Sequence, residues 1–150
     1  MIYINDDLLS ATHGLIVHGC NAQGVMGSGV ARAIKKKYPE VFKQYVFDIN
    51  LGKFGLGRLS LCKVSGGLMV ASAITQQYFG RDTNIRYVSY DAIDKVFRHI
   101  FELIPHNTHV HIPKIGAGLG NGSWEVISTI IEQAAKDKNF NPDSIFVYSL

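Results

Sequence analysis

One pattern occurs twice in this chain of 150 residues: a compact apolar run, a glycine-rich loop, then the opening of a helical stripe. The first copy is Gly14-Leu15-Ile16-Val17-His18-Gly19, followed by Gly24, Gly27 and Gly29 and then by Val30, Ala33 and Ile34 at helical spacing. The second runs from His109 to Ile115 and continues as Gly116-Ala117-Gly118-Leu119-Gly120-Asn121-Gly122. Ser123 then caps a helix with Trp124, Ile127, Ile130, Ile131, Ala134 and Ala135 on its buried side. Apolar runs this short, bounded by glycine, read as buried strands. In open α/β sheets, ligands sit outside the carboxyl ends of such strands. Glycine tolerates positive φ and lets a ligand approach the backbone with no Cβ in the way. A helix start adds unpaired N–H groups and the positive end of the macrodipole. Each loop therefore predicts an anion site, above all for phosphate. Two such loops around one crevice predict a diphosphate.

The rest of the chain supplies the other elements of an α/β domain. Ile2 to Ile4 is a short first strand. Pro39 ends the first helix or opens a second at its first position. Val41, Tyr45, Val46 and Ile49 then form a stripe that runs to the glycines at 52, 55 and 57. Arg58 to Val64 alternates polar and apolar residues, Ser65-Gly66-Gly67 is a hairpin turn, and Leu68 to Ile74 is the returning strand. Ser89 caps a helix with Ile93, Val96, Phe97, Ile100 and Phe101 on one face, and Ile145 to Tyr148 closes the chain as a strand. Strands alternate with helices and one hairpin interrupts them. The expected fold is a three-layer α/β/α domain over residues 1–150, with a mixed, mostly parallel central sheet.

Composition narrows the function classes. With 47% hydrophobic and 18% charged residues, the chain reads as an ordinary globular domain. No apolar run approaches the roughly 20 residues that cross a bilayer. The opening MIYINDDLL has no basic n-region and no long apolar core, so the expected compartment is cytoplasmic. Cys20 and Cys62 form no CxxC and no metal pattern, and read as reduced thiols. His106, His109 and His111 lack a carboxylate or cysteine partner and read as structural, with no metal expected. The net charge is +3. The Lys35-Lys36-Lys37 run, short and without interleaved aromatics, reads as a solvated helix face rather than a nucleic-acid patch. Gly24-x-x-Gly27-x-Gly29 is neither the GxGxxG order of a dinucleotide turn nor a GK[ST] loop. A monomer is the default.

Several motifs together resemble those of the macro domain, the ADP-ribose-binding α/β/α module. They are Ile2-Tyr3-Ile4-Asn5-Asp6-Asp7-Leu8-Leu9, His18-Gly19-Cys20-Asn21, Gly24-Val25-Met26-Gly27-Ser28-Gly29-Val30-Ala31 and Pro113-Lys114-Ile115-Gly116-Ala117-Gly118-Leu119-Gly120. Trp124-Glu125 and the terminal Val147-Tyr148-Ser149-Leu150 also fit. The resemblance implies that Asp7 accepts from the adenine amino group and that Asn21 holds the distal ribose. It implies that Gly27, Ser28, Gly29 and Val30 form one phosphate loop, and Gly116, Ala117, Gly118, Leu119 and Gly120 the other. Asp7 departs from the family's Gly-Asp-Leu only in its neighbour, Asp6. The structural alternatives are a helix cap at Asp7 and an Asx turn at Asn21.

The branches nearest in motif are ADP-ribose-1''-phosphate phosphatases and terminal ADP-ribose protein glycohydrolases. In the first, a histidine stands at the start of an HxCN motif. This makes His18 the candidate catalyst, as nucleophile or general acid/base, against the alternative of a satisfied strand histidine. The second branch uses a lysine after the third core strand and an aspartate in the second loop. This chain reads Gln76-Gln77 at the first position, and its second loop reads Gly118-Leu119-Gly120-Asn121, with glycine in place of the aspartate. Glutamine forms no Schiff base, and Gln76 is instead a candidate hydrogen-bonding ligand residue. Cys20 reads as a small buried residue, Asp91 as a helix-start charge, and Tyr78 or Phe79 as a cleft-lining aromatic or a core one. The implied function is binding of ADP-ribose and release of phosphate from ADP-ribose-1''-phosphate, with no cofactor. The alternatives are a non-catalytic ADP-ribose reader and a hydrolase or O-acetyl-ADP-ribose deacetylase that uses activated water. ADP-ribosylated macromolecules are a further partner class, no membrane contact is expected, and RNA or poly(ADP-ribose) binding through the lysines ranks last.

Overall fold

The computed structural model describes residues 1–52 and 54–150. Six strands form one sheet: β1 (Ile2–Asn5), β2 (Gly14–Asn21), β3 (Leu59–Lys63), β4 (Leu68–Gln76), β5 (Val110–Ile112) and β6 (Ile145–Ser149). Their order is β1-β6-β5-β2-β4-β3. All neighbouring pairs are parallel except β3 with β4, which the Ser65-Gly66-Gly67 turn joins as an antiparallel hairpin. The helices are α1 (Gly29–Lys37), α2 (Pro39–Asn50), α3 (Tyr90–Leu103) and α4 (Trp124–Asp137). Pro39 opens α2 at its first turn, where its missing N–H is no loss. Ser89 and Ser123 cap α3 and α4 by accepting from Ala92 N–H and Val126 N–H.

The period-2 alternation of β2 separates the two cores. Leu15 and Val17 pack with the apolar faces of α3 and α4, together with Ala71, Phe97, Ile112 and Ile131. Ile16 and Cys20 pack on the other face with Ile34 of α1 and Val41 and Tyr45 of α2. The result is the expected α/β/α layering with a mixed, mostly parallel sheet. Two details differ from expectation. β5 covers only 110–112, because Pro113 has no N–H to continue the ladder, while Ile115 still turns into the core. Two 3-10 turns, Leu8–Ser10 and Pro142–Ser144, lead out of β1 and into β6.

His18 lies inside this core. It is fully buried, with Nε2 at 2.8 Å from Ser72 Oγ and Nδ1 at 3.6 Å from Cys20 Sγ. Burial holds the imidazole pKa down to about 3, so the ring is neutral at physiological pH. The same desolvation pushes the Cys20 thiol up, away from thiolate. His18, the residue expected to be catalytic, is here a strand histidine hydrogen-bonded to Ser72, and it presents no nitrogen to solvent.

The sign of the linkage follows. In the unfolded chain His18 takes a proton near pH 6.5, and in the folded chain only near pH 3. Its contribution to stability is complete above pH 6.5 and is lost as pH falls through that window. His111, also depressed chiefly by burial, acts in the same direction. Chemical denaturation of the wild type should therefore show stability falling below pH 6.5. His18→Asn should flatten the slope by about 1.4 kcal/mol per pH unit, the value for one proton.

Candidate functional site

β2, β4 and β5 run parallel, so the segments that follow them leave the sheet at one end. There a cleft of about 510 Å³ opens. Its walls are Asn21 at the end of β2, Val25, Gly27 and Ser28 in the first glycine loop, and Gln76 at the end of β4. Phe79 and Arg81 from the segment after β4 and Leu119 from the second glycine loop complete it. Cys20 contributes to the floor. The two loops meet: a Cβ on Gly29 would lie 3.9 Å from Leu119 Cδ1.

The first loop is held by hydrogen bonds from Tyr45 and Asn21. The Tyr45 hydroxyl, reaching up from α2, accepts from Gly24 N–H at 3.1 Å and donates to the Asn21 carbonyl at 2.5 Å. Asn21 Oδ1 accepts from Gln23 N–H at 2.9 Å, and its Nδ2 donates to the Val25 carbonyl at 2.9 Å. The carboxamide thus forms the Asx turn that shapes the loop, while the residue also faces the cleft. Ser28 is the residue before α1, yet its hydroxyl accepts no hydrogen bond from that helix. It accepts instead from Arg81 Nη2 at 3.0 Å. The first turn of α1 contains no acidic residue. Its leading N–H groups therefore have no capping side chain, and the dipole there favours an incoming anion.

The glycines of the second loop divide by cause. Gly116 has φ +79°, and a Cβ there would stand 2.7 Å from Val88 Cγ2. Cβ atoms on Gly120 and Gly122 would press on the Gly116 carbonyl at 2.7 and 2.8 Å. These three are glycine because the loop folds tightly on itself. Gly118 is different: a Cβ there would meet nothing within 4 Å. Gly27 is also open, with Val25 Cγ1 at 3.5 Å as its nearest neighbour. Neither backbone angle nor packing requires glycine at 27 or 118.

Of the residues picked out by sequence, the structure brings together Asn21, Gly27, Ser28, Gln76 and Leu119 as cleft wall. Gly29 and Val30 begin α1 behind Ser28. Gly116, Ala117, Gly118 and Gly120 form the loop that carries Leu119 without being wall residues themselves. Asp7 and His18 are not among the residues of the cleft wall. Asp7 caps the Leu8–Ser10 turn by accepting from Leu9 N–H at 3.0 Å, and His18 is interior. Gln76 Nε2 donates to the Tyr78 carbonyl at 2.7 Å, and Phe79 rather than Tyr78 lines the wall. Asp91 lies exposed in the first turn of α3.

Arg81 and Tyr45 were missed. A lone arginine carries no local pattern, and Tyr45 reads as one more member of an apolar stripe. Among the described residues, Arg81 is the one charged side chain on the cleft wall. Also among them, no three histidine, cysteine or acidic side chains are grouped to hold a metal ion, and no helix is long and apolar enough to cross a membrane.

Comparison with known proteins agrees with this architecture. A family model described as "Macro domain" matches residues 17–131. An ADP-ribose 1''-phosphate phosphatase of Meyerozyma guilliermondii is 27% identical, over 87% of this chain and 91% of its own. A DNA ADP-ribosyl glycohydrolase of Mycobacterium tuberculosis is 29% identical over 82% of this chain, but the match spans only 35% of that longer relative. A solved Bacteroides thetaiotaomicron protein of unknown function superposes with a TM-score of 0.87 at 29% identity, covering 99% of this chain and 97% of its own. The family model matches more than half of the chain, and the chain belongs to the macro domain family.

Proposed function

We propose that this chain binds ADP-ribose in the cleft and releases phosphate from ADP-ribose-1''-phosphate. The observation that carries the binding is the bare backbone at Gly27 and Gly118, on two loops that face each other where no packing requires it. The diphosphate lies between these loops, against the leading N–H groups of α1. Asn21 and Gln76 lie at the strand ends, where hydrogen bonds to the distal ribose are available. Asp7, on the turn after β1, is the candidate partner of the adenine amino group; its second carboxylate oxygen makes no bond to the Leu8–Ser10 turn. ADP-ribosylated macromolecules reach the same cleft through their terminal unit.

The phosphatase reading is supported by the yeast relative of that name, which matches this chain over nearly its full length. It is also supported by glutamine at positions 76 and 77, where the glycohydrolase branch carries a lysine. Chemically, a water oxygen bonds to phosphorus as the bond from phosphorus to the ribose oxygen breaks, giving ADP-ribose and orthophosphate. Oriented backbone N–H groups stabilise the developing charge without reorganising. His18 takes no part in this step. A second reading, a non-catalytic reader, is favoured by one observation: among the described residues the cleft wall holds no carboxylate and no imidazole.

Two experiments test this. First, Gly118→Ala should leave thermal stability unchanged and weaken ADP-ribose binding at least about tenfold, a loss of roughly 1.4 kcal/mol. Gly116→Ala should instead destabilise the fold by about 1 kcal/mol or more, because its φ is positive. Equal effects of the two substitutions on binding and stability would contradict the division of roles. Second, purified protein incubated with ADP-ribose-1''-phosphate should release orthophosphate, and His18→Asn should retain that release. Binding without release would establish the reader instead.

A further inference from the structure

We propose that Arg81 selects for charge in the ligand: its guanidinium exchanges the hydrogen bond to Ser28 for contacts to the diphosphate. This deepens the ADP-ribose reading and rests on it. The segment between β4 and α3 forms a strap over the cleft, and its far side is sewn to the second glycine loop. Asn121, itself at φ +58°, donates from Nδ2 to the carbonyls of Asp82 at 3.0 Å and Ile85 at 2.7 Å. Tyr87 and Val88 N–H donate to the Gly120 carbonyl at 2.9 and 3.1 Å. The Tyr87 hydroxyl accepts from Asp82 N–H at 3.2 Å and lies against Gly80, where a Cβ would overlap it. The backbone around Arg81 is therefore fixed to one loop while its side chain reaches the other.

The guanidinium ends at Ser28, beside the uncapped start of α1. Among the described residues it pairs with no carboxylate, whereas Arg98 is bound by Asp94 and Asp137. A neutral hydroxyl is a weak partner for a planar fork of donors, and a phosphate is a strong, bidentate one. The strap carries that fork over the cleft to the helix N–H groups, so that both sets of donors converge on one spot. An anion seated there takes hydrogen bonds from the fork and from the helix, and a neutral ligand gains from neither. Arg81 is exposed, so replacing it removes this contact without opening the core.

Calorimetric titration of wild type, Arg81→Ala and Arg81→Lys with ADP-ribose and with adenosine, at low and at physiological ionic strength, tests this. Arg81→Ala should weaken ADP-ribose by about 10- to 100-fold, the range for lost charge-assisted hydrogen bonds. It should also reduce the salt dependence and leave adenosine binding and the melting temperature unchanged. Arg81→Lys should restore the salt dependence but not the full affinity, because an ammonium lacks the fork. Wild-type affinity and salt dependence in Arg81→Ala would overturn the proposal while leaving the ADP-ribose reading intact. Failure of the wild type itself to bind ADP-ribose would overturn both.

Discussion

The parallel pairing of β2 with both β4 and β5 is the constraint on which the site rests. Parallel neighbours end on the same side of a sheet, so the chain must leave β2, β4 and β5 at one pole. The segments after those strands are the two glycine loops and the strap, and they have no other place to go. β2 can serve this central position because it is buried on both faces, alternating between the α3/α4 core and the α1/α2 core. Gly19 leaves room between its strand and Ile115, whose side chain would meet a Cβ there at 3.3 Å. The second loop can therefore start close against the end of β2.

On that platform the electrostatics are built from dipoles and one guanidinium rather than from acids and bases. Tyr45 and the Asn21 carboxamide hold the first loop in shape through hydrogen bonds that are buried or partly buried. Ser28, placed where a cap belongs, turns to Arg81 and leaves α1 uncapped. The histidine beneath the floor is neutral because it is dry. Such a site suits an anion that arrives with its own charge. Under the proposed phosphatase reading, the chemistry rests on fixed N–H groups around a phosphate rather than on a side-chain nucleophile.

Much of this was legible in the sequence, for reasons that differ between elements. The amphipathic helices and their serine caps, and the strand–glycine–helix repeats, are local patterns, and local patterns survive into the fold. β5 was read too long because apolar residues continue past Pro113, whose missing N–H stops the ladder. His18 is a different case. A motif position points to chemistry, but its burial against Ser72, 54 residues away, is not visible in the local pattern. Arg81 depends on tertiary structure in the same way, since its meaning comes from Ser28 and Asn121. The glycines read alike in the sequence. Only the packing around Val88 separates those that close a turn from those that leave a cleft open.

The most direct test is a crystal structure of the protein soaked with or grown in ADP-ribose. The account predicts the diphosphate between Gly27–Ser28 and Gly118–Leu119, within hydrogen-bond distance of the first N–H groups of α1, with the distal ribose toward Asn21. ADP-ribose bound elsewhere on the molecule, or a diphosphate pointing into solvent with both loops untouched, would contradict it.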